Sequence, residues 1–199
     1  MAAQALLDEL IAFYEGPGRA GDAGAAEVLD RALPALRNAA AVLVEPRALP
    51  VSDRLMPALA PIQTSLAGAL RAAAPVFRWR QNPNYSAANM GADFMAGYGY
   101  VEFVGPKDAL FRAPEIRVGL LVLGPGRHYP THAHPAEEVY HPLTDGGDWR
   151  RGEEPWRQVA AGSAIHHPPM IAHETRAGRE ALLAIYCWVG DTATEARLS

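Results

Sequence analysis

The second part of the chain, from Val76 onward, consists of short apolar runs that glycine and proline interrupt at brief intervals. Valines, aromatic residues and alternating polar positions within such runs are typical of β-strands. Many short strands with frequent turn residues predict a mainly β fold, either a sandwich or a small barrel. The run at 182–189 is apolar at consecutive positions, which indicates a strand that is buried on both faces. The predicted strands are 76–80, 98–104, 116–123, 138–143, 157–159, 163–166, 172–176 and 181–188.

The first part of the chain is rich in alanine and leucine and predicts three helices. The first ends at the Gly-Pro-Gly sequence of 16–18. The second covers 25–41, where Pro34 predicts a kink or a split, and the third covers 53–74, with prolines near its start. The apolar face of the first helix contains Leu6, Leu7, Leu10, Ile11 and Tyr14.

We therefore expect an N-terminal helical segment, 1–75, that packs on a barrel formed by 76–199. The segment 81–97, near the start of the barrel region, is rich in glycine and asparagine and predicts a loop. Such a loop is a candidate lid for a site inside the barrel.

Composition excludes several classes of partner. The net charge is −4 and no run of Lys or Arg occurs, so nucleic acid is not an expected partner. No apolar run reaches the roughly 18–20 residues of a membrane span. The single cysteine, Cys187, cannot form an internal disulfide. The first residues lack the pattern of a signal peptide, so the expected localisation is cytoplasmic.

One short segment, YPTHAHPAEEVYHPL at 129–143, concentrates histidine, glutamate and tyrosine. His132 and His134 are two residues apart, as are Glu138 and Tyr140, so each pair lies on one face of an extended strand. Pro135 interrupts a single strand, and a turn there would bring the two pairs together. Two imidazoles and a carboxylate predict a site for a divalent transition metal: zinc or iron first, with manganese, cobalt or nickel as alternatives.

A further ligand has to come from elsewhere in the chain, and His173 is the best candidate. His166 and His167 are adjacent, so at most one of them can face the barrel interior. His132 has a second possible role, in which it lies beside the metal and orients water or substrate. The predicted ligands are His132, His134, Glu138 and His173, and the alternatives to His173 are His128, His141, His166 and His167.

Two segments, GRHYPTHAHPAEE at 126–138 and GSAIHHPPMIAH at 162–173, resemble the two motifs of the cupin family. The match lies in the spacing of glycine, proline, histidine and glutamate. The chain departs from the motifs at Asp145, Met170 and Ala177, none of which is a predicted ligand. The resemblance implies a cupin small β-barrel (a double-stranded β-helix) in which the two motifs lie on neighbouring strands around an internal metal.

A finer resemblance involves the aromatic residues around these motifs. Tyr129 and Tyr140 flank the histidines, Trp188 ends the last long strand, and a helical region precedes the barrel. This arrangement is similar to the cupin-type dimethylsulfoniopropionate (DMSP) lyases, most closely the DddQ type. The resemblance implies a metal-dependent carbon–sulfur lyase that cleaves DMSP to dimethyl sulfide and acrylate with a tyrosine as base.

Tyr140 is the predicted base because it lies beside the ligands, although it could instead be a further metal ligand or a hydrogen-bond donor. Tyr129 is the second catalytic candidate. Aromatic rings suit the sulfonium group of the substrate, since a cation is attracted to an electron-rich ring. The predicted substrate contacts are Trp188, Tyr129 and His132, and Tyr98, Tyr100 and Trp79 are further candidates.

The same ligands suit other functions. A cupin dioxygenase, in which iron activates oxygen, needs a similar set, and a cupin that only binds a small molecule would need no base. A cupin isomerase acting on sugars or keto acids would need a phosphate-binding cluster of Arg and Lys, and Arg112, Arg117 and Arg127 are too scattered to predict one. We expect a small-molecule substrate and a protein that is a monomer or a homodimer.

Overall fold

The computed structural model describes residues 1–199 and contains a helical layer over two β-sheets. The first helix buries Leu6, Leu7, Leu10 and Tyr14, which confirms most of the predicted apolar face, while Ile11 is partly buried. The helices are α1 (Ala2–Glu15), α2 (Ala25–Arg37), α3 (Leu55–Leu59), α4 (Ser65–Ala73), α5 (Ala87–Met90) and α6 (Ala92–Gly97). None of them has the length and apolar character that a membrane-crossing helix requires.

Thirteen strands form the two sheets. In chain order they are β1 (Ala40–Ala41), β2 (Trp79–Arg80), β3 (Tyr98–Gly105), β4 (Phe111–Arg112), β5 (Ile116–Leu123), β6 (His128–Ala133), β7 (Glu137–Pro142), β8 (Asp148–Arg151), β9 (Arg157–Gln158), β10 (Ile165–His167), β11 (His173–Arg176), β12 (Leu182–Val189) and β13 (Arg197–Leu198). The larger sheet has the order β1-β4-β3-β5-β12-β7-β10, with β2 paired to β3, and the smaller has the order β13-β6-β11-β8-β9.

The larger sheet separates two hydrophobic cores. On β12, Leu183, Ile185 and Cys187 pack with the helices, whereas Tyr186 and Trp188 belong to a second core shared with the smaller sheet. This alternation follows from the two-residue period of a strand. Every residue of β12 is buried, which confirms the prediction of a strand covered on both faces. The second core, between the sheets, contains the candidate site.

Several predicted boundaries in the helical region were wrong. The second helix continues through Pro34, without the predicted split, and ends at Arg37. Residues Ala40–Ala41, predicted as helix, instead pair with β4 as an edge strand. The third helix is split into a 3-10 turn, α3 and α4, and the Thr64 side chain caps α4 by accepting a hydrogen bond from the Ala67 amide.

The segment 81–97 is not a simple loop, because it contains α5 and α6. Ser86 and Asn89 form a capping box at the start of α5, and Gly91 separates the helices with a φ of 84° that favours glycine. Strand β6, which was not predicted, contains Pro130 and several polar residues that hide its strand character in the sequence. The division at residue 75 stays a prediction.

Candidate metal centre

Glu138 is the centre of the candidate site. It lies on β7 with no exposed surface, and both carboxylate oxygens face side chains of other strands. Oε2 lies 3.1 Å from His134 Nε2 and 3.3 Å from His173 Nε2, and Oε1 accepts a hydrogen bond of 2.6 Å from Trp188 Nε1. Burial by itself raises the pKa of Glu138, but the neighbouring histidines, His134 first, favour the charged form and lower that pKa well below its usual range. The carboxylate is therefore ionised.

Backbone carbonyls fix the orientation of the three histidines. The Nδ1 atoms of His132, His134 and His173 lie 2.8, 3.0 and 2.9 Å from the carbonyl oxygens of Pro130, Ala136 and Ile171 respectively. A carbonyl oxygen can only accept a hydrogen bond, so Nδ1 carries the proton. In a neutral imidazole the lone pair is then on Nε2, which is the usual arrangement of a metal-binding histidine.

The Nε2 atoms of His134 and His173 and a carboxylate oxygen of Glu138 all lie within 4.8 Å of one another and are buried. A lone pair that faces a carboxylate is unfavourable unless a cation lies between them, and His173 Nε2 is buried without a hydrogen-bond partner. Two imidazole nitrogens and a carboxylate match the preference of a divalent transition metal. These three residues therefore fit a metal site, and the identity of the metal is left open.

His132 lies next to this group, outside its closest contacts. Its ring centre is 4.2 Å from that of His173, and its other neighbour is Tyr129, which stacks on it at 3.9 Å with planes 10° apart. Burial, followed by the charge of His173, lowers the pKa of His132 well below its usual value. The imidazole is consequently neutral and can act either as a ligand or as a hydrogen-bonding neighbour of one.

His167 lies in the site, although it was predicted only as an alternative ligand to His173. It pairs with Glu138 across β10 and β7, its ring stacks on His173 at 4.1 Å, and its Nδ1 lies 3.4 Å from Glu138 Oε2. Burial lowers its pKa to about 3, and the charge of His173 adds to this effect. The prediction that only one of His166 and His167 faces inward is confirmed, since His166 bonds to Glu137 on the other face of the strand.

The other two histidines lie away from the site. His128 bonds to Glu174 at 2.6 Å near the surface. His141 faces the helical layer, where its Nε2 donates a hydrogen bond of 2.8 Å to the Gly18 carbonyl oxygen.

A pocket rich in tyrosine adjoins the cluster. Tyr140 borders it, and burial together with the charge of Glu138 raises the pKa of this phenol well above its usual value. Tyr129 also borders the pocket, and its hydroxyl lies 3.1 Å from that of Tyr85. The complete lining is Asn82, Tyr98, Tyr100, Arg117, Leu121, Tyr129, Glu138, Tyr140, Tyr186, Trp188, Glu195 and Ala196.

The aromatic residues that were predicted to contact the substrate differ in position. Tyr98, Tyr100 and Trp188 line the pocket, whereas Trp79 packs with the helices on the opposite face of the sheet. Sequence reasoning missed Tyr186, Arg117 and Glu195. Tyr186 has a signal in the sequence, because it lies two residues before Trp188 on the same strand and thus on the same face. Arg117 and Glu195 have no such local signal.

Comparison with known proteins is consistent with this geometry. The family model for dimethylsulfoniopropionate lyase matches residues 25–184. The dimethylsulfoniopropionate lyase DddQ of Ruegeria pomeroyi is 29% identical over 153 residues, which are 77% of this chain and 74% of that protein. A chain from the crystal structures of the DMSP lyases RdDddP and RnDddQII superposes with a TM-score of 0.80 and 26% identity, covering 100% of this chain and 97% of the other. The crystal structure of DddQ from Ruegeria pomeroyi gives a TM-score of 0.76 and 25% identity, with 100% and 96% covered.

The two sheets, the helical layer and the buried His–Glu–His cluster thus define a cupin-type protein with a candidate metal centre. More specifically, the chain belongs to the dimethylsulfoniopropionate lyase family, a family of carbon–sulfur lyases. Both resemblances found in the sequence are confirmed at this level.

Proposed function

We propose that the protein catalyses the β-elimination of DMSP to dimethyl sulfide and acrylate, with Tyr140 as general base. One observation carries the proposal: the phenol of Tyr140 and the carboxylate of Glu138 border the same aromatic pocket in a member of the DMSP lyase family. The chemistry of this substrate requires a base, which Tyr140 would supply, and a cation beside the substrate carboxylate, which Glu138 would help to hold. Its α-proton is difficult to remove because the adjacent carboxylate is already negative, and the sulfonium group leaves as a neutral sulfide.

His134, Glu138 and His173 are the residues that would hold the metal, and we propose His132 as a fourth ligand or as a neighbour that orients water and substrate. Zinc or iron is proposed first, and manganese, cobalt or nickel would suit the same donors. A divalent cation at this point would draw charge from the substrate carboxylate, making the α-proton more acidic, and would favour the ionised form of a nearby phenol.

Tyr140 is proposed to move the proton. Burial and the charge of Glu138 keep its phenol protonated in the protein alone. Positive charge in the pocket reverses this preference, and the sulfonium of the substrate contributes one such charge. The phenolate oxygen then takes the α-proton, the C–H electron pair forms the double bond of acrylate, and the C–S electron pair leaves with dimethyl sulfide. Tyr140 afterwards releases its proton to solvent.

Tyr129, Trp188 and His132 are proposed to bind the substrate, with Tyr129 as the second hydroxyl that assists proton transfer. Tyr129 and Trp188 line the pocket, and the stacking of Tyr129 on His132 links the pocket to the ligand cluster. Aromatic side chains are suitable neighbours for a sulfonium, because it has no hydrogen to donate and interacts through its charge.

Headspace gas chromatography under nitrogen tests the function. The purified protein, loaded in separate samples with zinc, iron and manganese, is incubated with DMSP, and acrylate is measured in the liquid phase. We expect dimethyl sulfide and acrylate in equal amounts, with no oxygen required. Absence of both products with every metal would reject the lyase assignment for this chain, whereas turnover that depends on oxygen would favour a dioxygenase.

The remaining proposals concern organisation. We propose that 1–75 forms a segment that packs on a barrel of 76–199 and that the protein acts on its small-molecule substrate as a monomer or a homodimer. Joint burial of helix and strand residues in one core supports the first statement. Light scattering coupled to size-exclusion chromatography tests the second.

A further inference from the structure

The pocket is bordered by two carboxylates, and only one of them belongs to the metal cluster. Glu138 is fully engaged by histidines and Trp188. The other, Glu195, lies in the C-terminal segment, with 20% of its side chain exposed. Its charge acts on the pocket, since burial and then Glu195 raise the pKa of Tyr100. A second carboxylate therefore borders the tyrosine rings, with the Arg117 guanidinium beside it.

The segment that carries Glu195 is held at both ends. Asp191 accepts hydrogen bonds from the backbone amides of Ala193 and Thr194. The carbonyl oxygen of Ala196 accepts from the side-chain amides of Asn82 and Asn84, at 2.9 and 3.0 Å, which joins this segment to the region before α5. Glu195 is consequently a fixed part of the pocket wall and not part of a loose terminus.

Arg117 connects Glu195 to the interior. Its Nη1 donates a hydrogen bond of 2.9 Å to Glu195 Oε1, and its Nε lies 3.8 Å from the buried carboxylate of Glu102. Arg80 lies 3.9 Å from the other oxygen of Glu102. Basic and acidic side chains thus alternate along the series Arg80, Glu102, Arg117, Glu195, and burial raises the pKa of Glu102 to about 7. Arg117 has a carboxylate on each side. Since it bonds to Oε1 of Glu195, the second oxygen, Oε2, can contact a further cation.

The Trp188 ring has other close neighbours, so its proposed contact with the substrate is not with the cationic group. His134 stacks on one side of the ring at 4.0 Å, and the guanidinium carbon of Arg117 lies 5.5 Å from the ring centre. A cationic group in the pocket would be met instead by tyrosine rings and by the carboxylate of Glu195. Aromatic faces and an anionic group both favour a cation over a neutral group of equal size.

We propose that Glu195, held by Arg117, is the residue that selects substrates with a positive charge at the end remote from the metal. This inference rests on the proposed function, because the substrate carboxylate is placed at the metal. In this arrangement Arg117 is a positioning residue, and Glu195 supplies the specificity. The chemical class selected is a short zwitterion with a carboxylate and a sulfonium or ammonium group.

Two unreactive probes with the propanoate chain of DMSP test the proposal by calorimetry on the zinc-loaded protein. The first, 3-(trimethylammonio)propanoate, carries the positive charge without an N–H donor, and the second, 4,4-dimethylpentanoate, has the same shape and is neutral at that end. We expect the wild type to bind the cationic probe more tightly than the neutral one. Glu195→Gln lowers the affinity for the cationic probe about five- to tenfold and leaves the affinity for the neutral probe unchanged. Glu153→Gln, at an exposed position, is the matched control with wild-type affinities.

Equal weakening of both probes would assign Glu195 a structural role, and lack of any cation preference in the wild type, including lack of binding, would also overturn the proposal. Salt dependence adds a measurement that needs no variant: affinity for the cationic probe falls more steeply with ionic strength than affinity for the neutral one. Binding is measured without turnover. A protein that releases no dimethyl sulfide but shows the Glu195 effect would therefore refute the lyase assignment alone, and the reverse result would refute this inference alone.

Discussion

Trp188 and Glu138 are opposite each other on β12 and β7, and the indole Nε1 donates a hydrogen bond of 2.6 Å to Glu138 Oε1. This bond uses the carboxylate oxygen that faces away from the histidines. It leaves Oε2 directed toward His134 and His173. By holding Oε1, Trp188 fixes the orientation of the Glu138 carboxylate, which is a candidate metal ligand. Trp188 also borders the pocket.

The first prediction follows from this bond. Trp188→Phe keeps an aromatic ring but removes the donor, so Glu138 loses its orientation and metal affinity falls about 10- to 100-fold. Metal titration by competition with a chelator measures the change. Trp149→Phe is the control, because Trp149 Nε1 has no hydrogen-bond partner to lose. Equal affinities in wild type and Trp188→Phe would show that the bond does not organise the site.

The second prediction concerns the ligand from the second motif. His173→Ala removes one of the three grouped donor atoms, and we expect the purified protein to lose both bound metal and activity. Elemental analysis provides the measurement. His128→Ala, at a partly exposed position paired with Glu174, serves as the control and retains the metal. Full metal content in His173→Ala would mean that the ligand set is assigned wrongly.

The third prediction separates the possible roles of Tyr140. Tyr140→Phe removes only the hydroxyl. With Tyr140 as the base, this change lowers turnover by roughly 10²–10⁴-fold while the metal content stays constant. Initial rates of dimethyl sulfide release and metal analysis on the same samples distinguish a base from a metal ligand. Loss of metal would identify Tyr140 as a ligand, and unchanged turnover would exclude it as the base.

The fourth prediction concerns acid sensitivity and His141. Burial lowers the pKa of this imidazole to about 4, although its bond to the Gly18 carbonyl oxygen opposes the shift. A folded-state pKa below the unfolded value means that the contribution to stability is present above pH 6.5 and is lost as the pH falls toward 4. For a shift of this size the loss is about 3 kcal/mol.

Urea denaturation of the metal-free protein at pH 7 and pH 4.5 measures this effect. His141→Gln keeps an N–H donor for Gly18 but has no titrating group, so its free energy of unfolding falls less on acidification than that of the wild type. Equal losses in the two proteins would show that His141 does not account for the acid sensitivity.

The sequence allowed prediction of those features that depend on local spacing. Strand β5 was predicted with its observed limits, because isoleucine, valine and leucine dominate it and turn residues lie on both sides. The candidate ligands were found for a similar reason, as their spacing along two segments is characteristic of a known family. His134, Glu138 and His173 do come together as predicted.

Features that depend on pairing between distant strands could not be predicted in this way. His167 enters the site because β10 pairs with β7 in a register that sets it beside Glu138. Glu195 reaches the pocket because its segment is held by side chains more than a hundred residues earlier in the chain. Neither register nor such a long-range contact leaves a periodic signal in one sequence.

The hydrogen bonds that orient the three histidines are all local. Each Nδ1 meets a carbonyl oxygen only two residues away in the chain, at Pro130, Ala136 and Ile171. The direction in which each ring points is therefore encoded within a tripeptide, and folding aligns the rings before any ion arrives. A divalent metal held by these rings would then exchange with little rearrangement of the protein, and such a framework would suit any of several metals.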